Sequence, residues 1–154
     1  MTKRTLALAI LLLPGVSSAG PLAPGRASDL VTLITKDLTP CAVAGVAFDT
    51  RVLPDGSAVP FTIPAKHVLV VTSLHFVAGA APVAGQTGTA VLTLATATTS
   101  HAVLQAVGVT DSDGTYAGSA HSEQGVAVRA GATLCLLGGT STSGVLHGFL
   151  AKDK

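Results

Sequence analysis

Tryptophan and asparagine are absent from the chain, aromatic residues make up 3% of it and charged residues 11%. Each shortage closes off a class of function or counts against one. With so little charge and 48% hydrophobic residues, the chain is neither a polyelectrolyte nor disordered, because it has enough apolar surface to bury a core. Beyond residue 20 the basic residues (Arg26, Lys36, Arg51, Lys66, Arg129, Lys152, Lys154) are scattered. Nucleic-acid binding needs a clustered basic face, so no nucleic-acid partner is expected. Glycan binding on a β-surface usually uses flat rings, and only Phe48, Phe61, Phe76, Tyr116 and Phe149 are available. No G-x-x-x-x-G-K-[ST] or G-x-G-x-x-G motif occurs, so no nucleotide cofactor is expected. No G-x-S-x-G elbow is present either.

Long apolar runs are also missing. Leu6 to Leu13 is the longest candidate and is followed by Pro14-Gly15, well short of the roughly 20 residues that span a bilayer. Preceded by Lys3-Arg4 and followed by Val16-Ser17-Ser18-Ala19, it reads as a secretory signal over residues 1–19, with no membrane span. Without Lys3 and Arg4, seven basic residues stand against eight acidic ones, a formal charge of −1. The product is expected to be secreted or periplasmic. An oxidising compartment lets the two cysteines, Cys41 and Cys135, close one disulfide. Two buried free thiols are the alternative.

What is present is a series of short stretches rich in Val, Thr and Ala, punctuated by Gly. Residues 20–40 form a leader rich in Pro and Gly at its start, and residues 41–154 form one domain. Within the leader, Leu30, Leu33, Ile34 and Leu38 fall near one helical face, predicting a short helix over 28–38, with a strand at Val31–Thr35 as the alternative. Strands are expected near 42–53, 58–63, 67–78, 89–98, 101–109, 115–120, 125–130, 132–138 and 144–151. Connections such as Pro54-Asp55-Gly56 and Asp111 to Gly114 are hairpin turns, too short for crossover helices. The expected fold is all-β: an antiparallel β-sandwich of jelly-roll or Greek-key type with eight to nine strands, a closed barrel being the alternative.

Some strands are apolar on both faces. Val68, Val70, Leu74 and Phe76 alternate with Leu69, Val71 and Val77, which requires either cover on both sides or contact with another chain.

The candidate chemistry is thin. Ser119, His121 and Glu123 have the residue types of a triad, but on a strand successive members stand about 7 Å apart, beyond hydrogen-bond reach. No catalytic residue is assigned. Asp111-Ser112-Asp113-Gly114 begins like a calcium loop, yet its Gly comes early and position 12 is Ser122, so a hairpin turn explains it better. None of His67, His75, His101, His121 and His147 is spaced to pre-form a metal site, so any such site would draw on different strands. No metal and no cofactor is assigned. Tyr116, beside that turn, is read as an exposed ring, and with Asp111 and Asp113 it forms the candidate ligand-binding set.

The stretch Val59-Pro60-Phe61-Thr62-Ile63-Pro64-Ala65-Lys66-His67-Val68-Leu69-Val70-Val71 resembles small secreted bacterial β-sandwich proteins of uncharacterised function. So do Val128 to Leu134 and Val145 to Leu150. The resemblance implies a sandwich fold and export, and carries over no functional residue.

Three functions follow as expectations. The first is an exported, non-enzymatic structural or interaction protein that forms a homo-oligomer or docks on a protein partner. The second is a small extracellular module binding a glycan or similar ligand through the loops 79–88 and 111–123. A secreted hydrolase or metalloenzyme is third.

Overall fold

The computed structural model describes residues 24–42, 44–79, 83–139 and 142–153. The expected signal at 1–19 lies outside them. A single 3-10 turn, Ala27–Asp29, precedes ten strands: β1 (Leu30–Ile34), β2 (Val46–Ala47), β3 (Thr50–Val52), β4 (Ala58–Pro60) and β5 (His67–Ala78), then β6 (Thr87–Ala95), β7 (Ser100–Thr110), β8 (Tyr116–Arg129), β9 (Thr133–Leu137) and β10 (Ser143–Lys152). All pair antiparallel in one sheet, ordered β2-β9-β6-β7-β8-β5-β10-β1-β3-β4 and curled into a half-barrel. Its two edge strands, β2 and β4, are short, and β4 ends in Pro60, which limits edge-to-edge pairing with other chains. The all-β antiparallel class is as expected.

Three details differ from expectation. First, the helix over 28–38 is a strand. Val31 and Leu33 are buried on alternate positions, and β1 pairs with β10 on one edge and β3 on the other. Those two ladders satisfy backbone groups that a helix would leave unpaired on β10 and β3. Second, the described residues form ten strands, not eight or nine. The stretch 42–53 breaks at Phe48-Asp49 into β2 and β3, and 115–120 with 125–130 merge into β8. Third, the strands form one continuous sheet, because β7 and β8 are bridged at Val107–Thr110.

Leu33, Leu69, Val71, Leu74, Phe76, Leu92, Leu136 and Leu146 fill the inner side of the curl. The faces of β5 do not follow simple alternation. Its pairing with β8 shifts register between Val71 and Ser73, leaving Thr72 as an extra residue whose hydroxyl donates to the His147 carbonyl at 3.2 Å. A bulge of this kind switches side-chain parity. Leu69 and Val71 therefore share the inner side with Leu74 and Phe76, whereas Val68 and Val70 pack outward with Phe149. Opposite Thr72, β8 makes a longer excursion through Ser122 to Gly125, and Gly125 closes it at φ 70°, a left-handed conformation that favours glycine.

Cys41 and Cys135 are disulfide-bonded across a sequence separation of 94, with Cα atoms 6.2 Å apart. The bond ties the segment before β2 to β9, and Cys135 is fully buried. It is compatible with an oxidising, extracytoplasmic location.

Gly88 on β6 lies against the Tyr116 ring, and a Cβ there would run into the ring atoms. Tyr116 cannot turn aside easily. It packs edge-to-face on Phe76, with ring centroids 5.6 Å apart, and its hydroxyl accepts the Gly139 N–H at 3.0 Å. Gly88→Ala is therefore expected to destabilise the fold by about 1–3 kcal/mol in denaturant titration. Gly79→Ala, where a Cβ meets nothing within 4 Å, should stay within about 0.5 kcal/mol of the parent.

An apolar sheet face with three histidines as candidate functional site

The outer sides of β1, β10, β5, β8 and β7 make one surface, assembled in rows by the strand register. One row runs Ile34, Val145, His75, Ser119, Val107. The next runs Thr32, His147, Ser73, His121. On one side of these stand Ser143, Val77, Ala117 and Val109, and on the other Leu30, Phe149, Val70 and Ala127, of which Phe149 and Val70 are already buried within the chain, Val70 against Gly125 of the β8 excursion.

Four of the large hydrophobic side chains most exposed in the molecule lie here: Leu30, Val77, Val107 and Val109, at 48–62% exposure. Isolated exposed apolar residues such as Leu30 are ordinary, but Val77, Val107 and Val109 stand together around Ala117 and Ser119, and a cluster of this kind marks a contact surface. These rows contain no charged side chain. At their margin Arg129, opposite Val68, pairs with Asp153 at 3.6 Å. Beside the upper rows an apolar cleft of about 250 Å³ is lined by Ile34, His75, Phe76, Val77 and Val145.

Three of the five histidines meet in the middle. The ring of His75 on β5 contacts His121 on β8 and His147 on β10 edge-on, both with centroids 5.7 Å apart. His147 Nδ1 and the Thr32 hydroxyl share a hydrogen bond of 3.1 Å. Burial, with a smaller contribution from His75, lowers the His147 pKa below the ordinary histidine value. This convergence is invisible in the spacing of the histidines. It depends on the Thr72 bulge, which brings His75 to the outer side together with Val68 and Val70.

Among the described residues, no group of three His, Cys, Asp or Glu side chains is placed to hold a metal ion. The register explains this for the histidines. His121 and His147 both pair with Ser73 from opposite sides, so their backbones stand two strand spacings apart, about 9–10 Å. His67 and His101 lie elsewhere: the first shares a hydrogen bond with the Ala65 carbonyl at 3.0 Å, and the second is exposed at the start of β7.

The candidate ligand set from the sequence occupies another part of the molecule. Tyr116 corrects the expectation of an exposed ring: it is 6% exposed and belongs to the core. An aromatic residue that begins a strand beside a tight turn can point either way, and the pairing of Tyr116 with Ala78 directs it inward. Asp111 and Asp113 shape the hairpin. Asp111 Oδ1 accepts the N–H groups of Asp113 and Thr115 at 3.1 and 3.2 Å, and Asp113 Oδ1 accepts the Thr115 N–H at 2.8 Å. A hydrogen bond shared with Asp111, then bonds from Thr115, hold the Asp113 carboxyl below the usual carboxylate range. Gly114 completes the turn at φ 83°.

Ser119 and His121 share the outer face, while Glu123 lies in the excursion of β8 and is exposed. No α-helix long and apolar enough to cross a membrane occurs among the described residues. No protein-family model, no curated protein and no solved structure matches this chain.

Proposed function

We propose that this is an exported, non-enzymatic structural or interaction protein that associates with copies of itself through the outer face of β1, β10, β5, β8 and β7. The observation that carries the reading is a broad face made of Val, Ala, Ser and His, bordered by charge but containing none. The three open rows span about six residues rising about 3.3 Å each over five strands spaced by about 4.8 Å, a footprint of about 450–500 Å². That is the size of a weak contact, which forms as the protein is concentrated. With no charge to complement, a second copy of the same uncharged surface is the partner best matched to it.

A jelly-roll closure is part of the proposal. Its support is the nested pairing of β1 with β10, β2 with β9, β5 with β8 and β6 with β7, as in a long hairpin rolled up on itself. The short β7–β8 contact supports a division there into two layers.

The reading as a ligand module on loops 79–88 and 111–123 has less support, since Tyr116 is core and the Asp111 and Asp113 oxygens serve the turn. Light scattering on protein purified from an oxidising compartment tests the self-association directly. A discrete species of several chains is the expected result, and a single-chain mass at every concentration up to the solubility limit overturns it.

A further inference from the structure

We infer that His75, His121 and His147 make this self-association acid-sensitive, holding copies together while the three rings are neutral and releasing them on protonation. The inference rests on the proposed contact through the outer face. The rings lie on that face between the exposed apolar row ending in Val109 and the side where Phe149 and Val70 are already buried within the chain. Joining two copies there places several imidazoles together away from water. A charged group in such a setting is costly unless an opposite charge meets it.

Among the described residues no carboxylate lies within ion-pair distance of these rings. From β1 the rings meet Thr32 and Ile34, from β10 Val145, and from β5 Ser73 and Val77. From β8 they meet Ser119 and Ala117, and β7 supplies Val107. The nearest acidic residue along β8 is Glu123, two positions past His121 within the excursion. Arg129 and Asp153 at the margin are paired with each other, the single ion pair among the described residues. Protonation therefore adds like charges to three rings already in edge contact.

The single chain already leans this way. Because the pKa of His147 is lowered on folding, the unfolded chain binds this proton more tightly than the folded one. Its contribution to stability is complete above the ordinary histidine range and declines as pH falls through it. Burying the ring further in an assembly extends the same effect to association.

The test is light scattering of the full chain at about pH 8 and about pH 5. The apparent dissociation constant is expected to rise by about tenfold or more between about pH 8 and about pH 5, the range in which histidine side chains gain charge. Wild type is expected to assemble at the higher pH and run as single chains at the lower, with its far-UV β signal intact. His75→Gln/His121→Gln/His147→Gln should remain assembled at both, whereas His67→Gln/His101→Gln should dissociate in acid like wild type. Assembly of wild type that persists at about pH 5, acid dissociation of the triple variant, or loss of the β signal in acid would overturn the switch. Single chains at about pH 8 would instead overturn the self-association on which it rests.

Should the triple variant fail to fold, His75→Gln alone, which removes the ring that touches both others, keeps the question open to refutation. It is expected to dissociate less in acid than wild type, and an acid dissociation identical to that of wild type would overturn the switch.

Discussion

Val77→Asp and Val109→Asp are each expected to bring the native mass down to one chain while leaving that chain folded. Both side chains stand in the same row, joined through Ala117, and are 48% and 62% exposed in the single chain. Within one chain, the new carboxylate stays in water, and the cost is limited to the loss of a β-branched residue from a strand, at most about 1 kcal/mol. In an assembly the same carboxylate would be buried opposite an uncharged surface. An unpaired buried charge costs several kcal/mol, enough to weaken association by about 10³-fold or more. Light scattering reads the mass, and thermal denaturation of dilute protein separates failed assembly from failed folding. Val59→Asp is the control, since Val59 is 37% exposed but sits on the edge strand β4, two strands beyond β1. If Val77→Asp keeps the wild-type mass, the contact lies on another surface.

Removing the disulfide is expected to have the largest effect on stability. Cys41→Ser/Cys135→Ser releases a loop spanning 94 positions. The chain-entropy argument assigns such a closure about 4–5 kcal/mol, an upper figure because residual structure in the unfolded chain reduces it. A further cost comes from the site: Cys135 is fully buried between Leu134 and Leu136 on β9, and a serine hydroxyl there needs a hydrogen-bond partner. Equilibrium denaturation with and without reductant should give a midpoint much lower in the reduced protein, and the double variant should match the reduced wild type or fall below it. A reduced protein as stable as the oxidised one would mean that the sheet does not rely on this bond.

Much of the fold was legible as local chemistry. β5 was expected at the residues it occupies, and the Asp111 to Gly114 turn forms as a glycine-closed hairpin. Hairpin turns and β-branched runs act over a few residues, so their signals survive in a linear reading. β1 was harder, because five residues between a 3-10 turn and Pro40 fit two periodicities, and only the flanking strands decide between them. The histidine cluster was harder still. His75, His121 and His147 have no spacing relation to one another, and simple alternation along β5 gives the wrong partners beyond Thr72.

Apolar content and turn residues were enough to place this chain among all-β proteins, and the two cysteines were enough to expect a disulfide, which is compatible with an oxidising compartment. They also pointed to strands with two apolar faces, because side-chain alternation is a property of the backbone. Which of those faces is core, and which is left on the outside around three histidines, depended on two bulges and on pairings between distant segments. Register is a long-range property: shifting a strand by one residue exchanges its faces, and nothing within the strand records which neighbour it will meet.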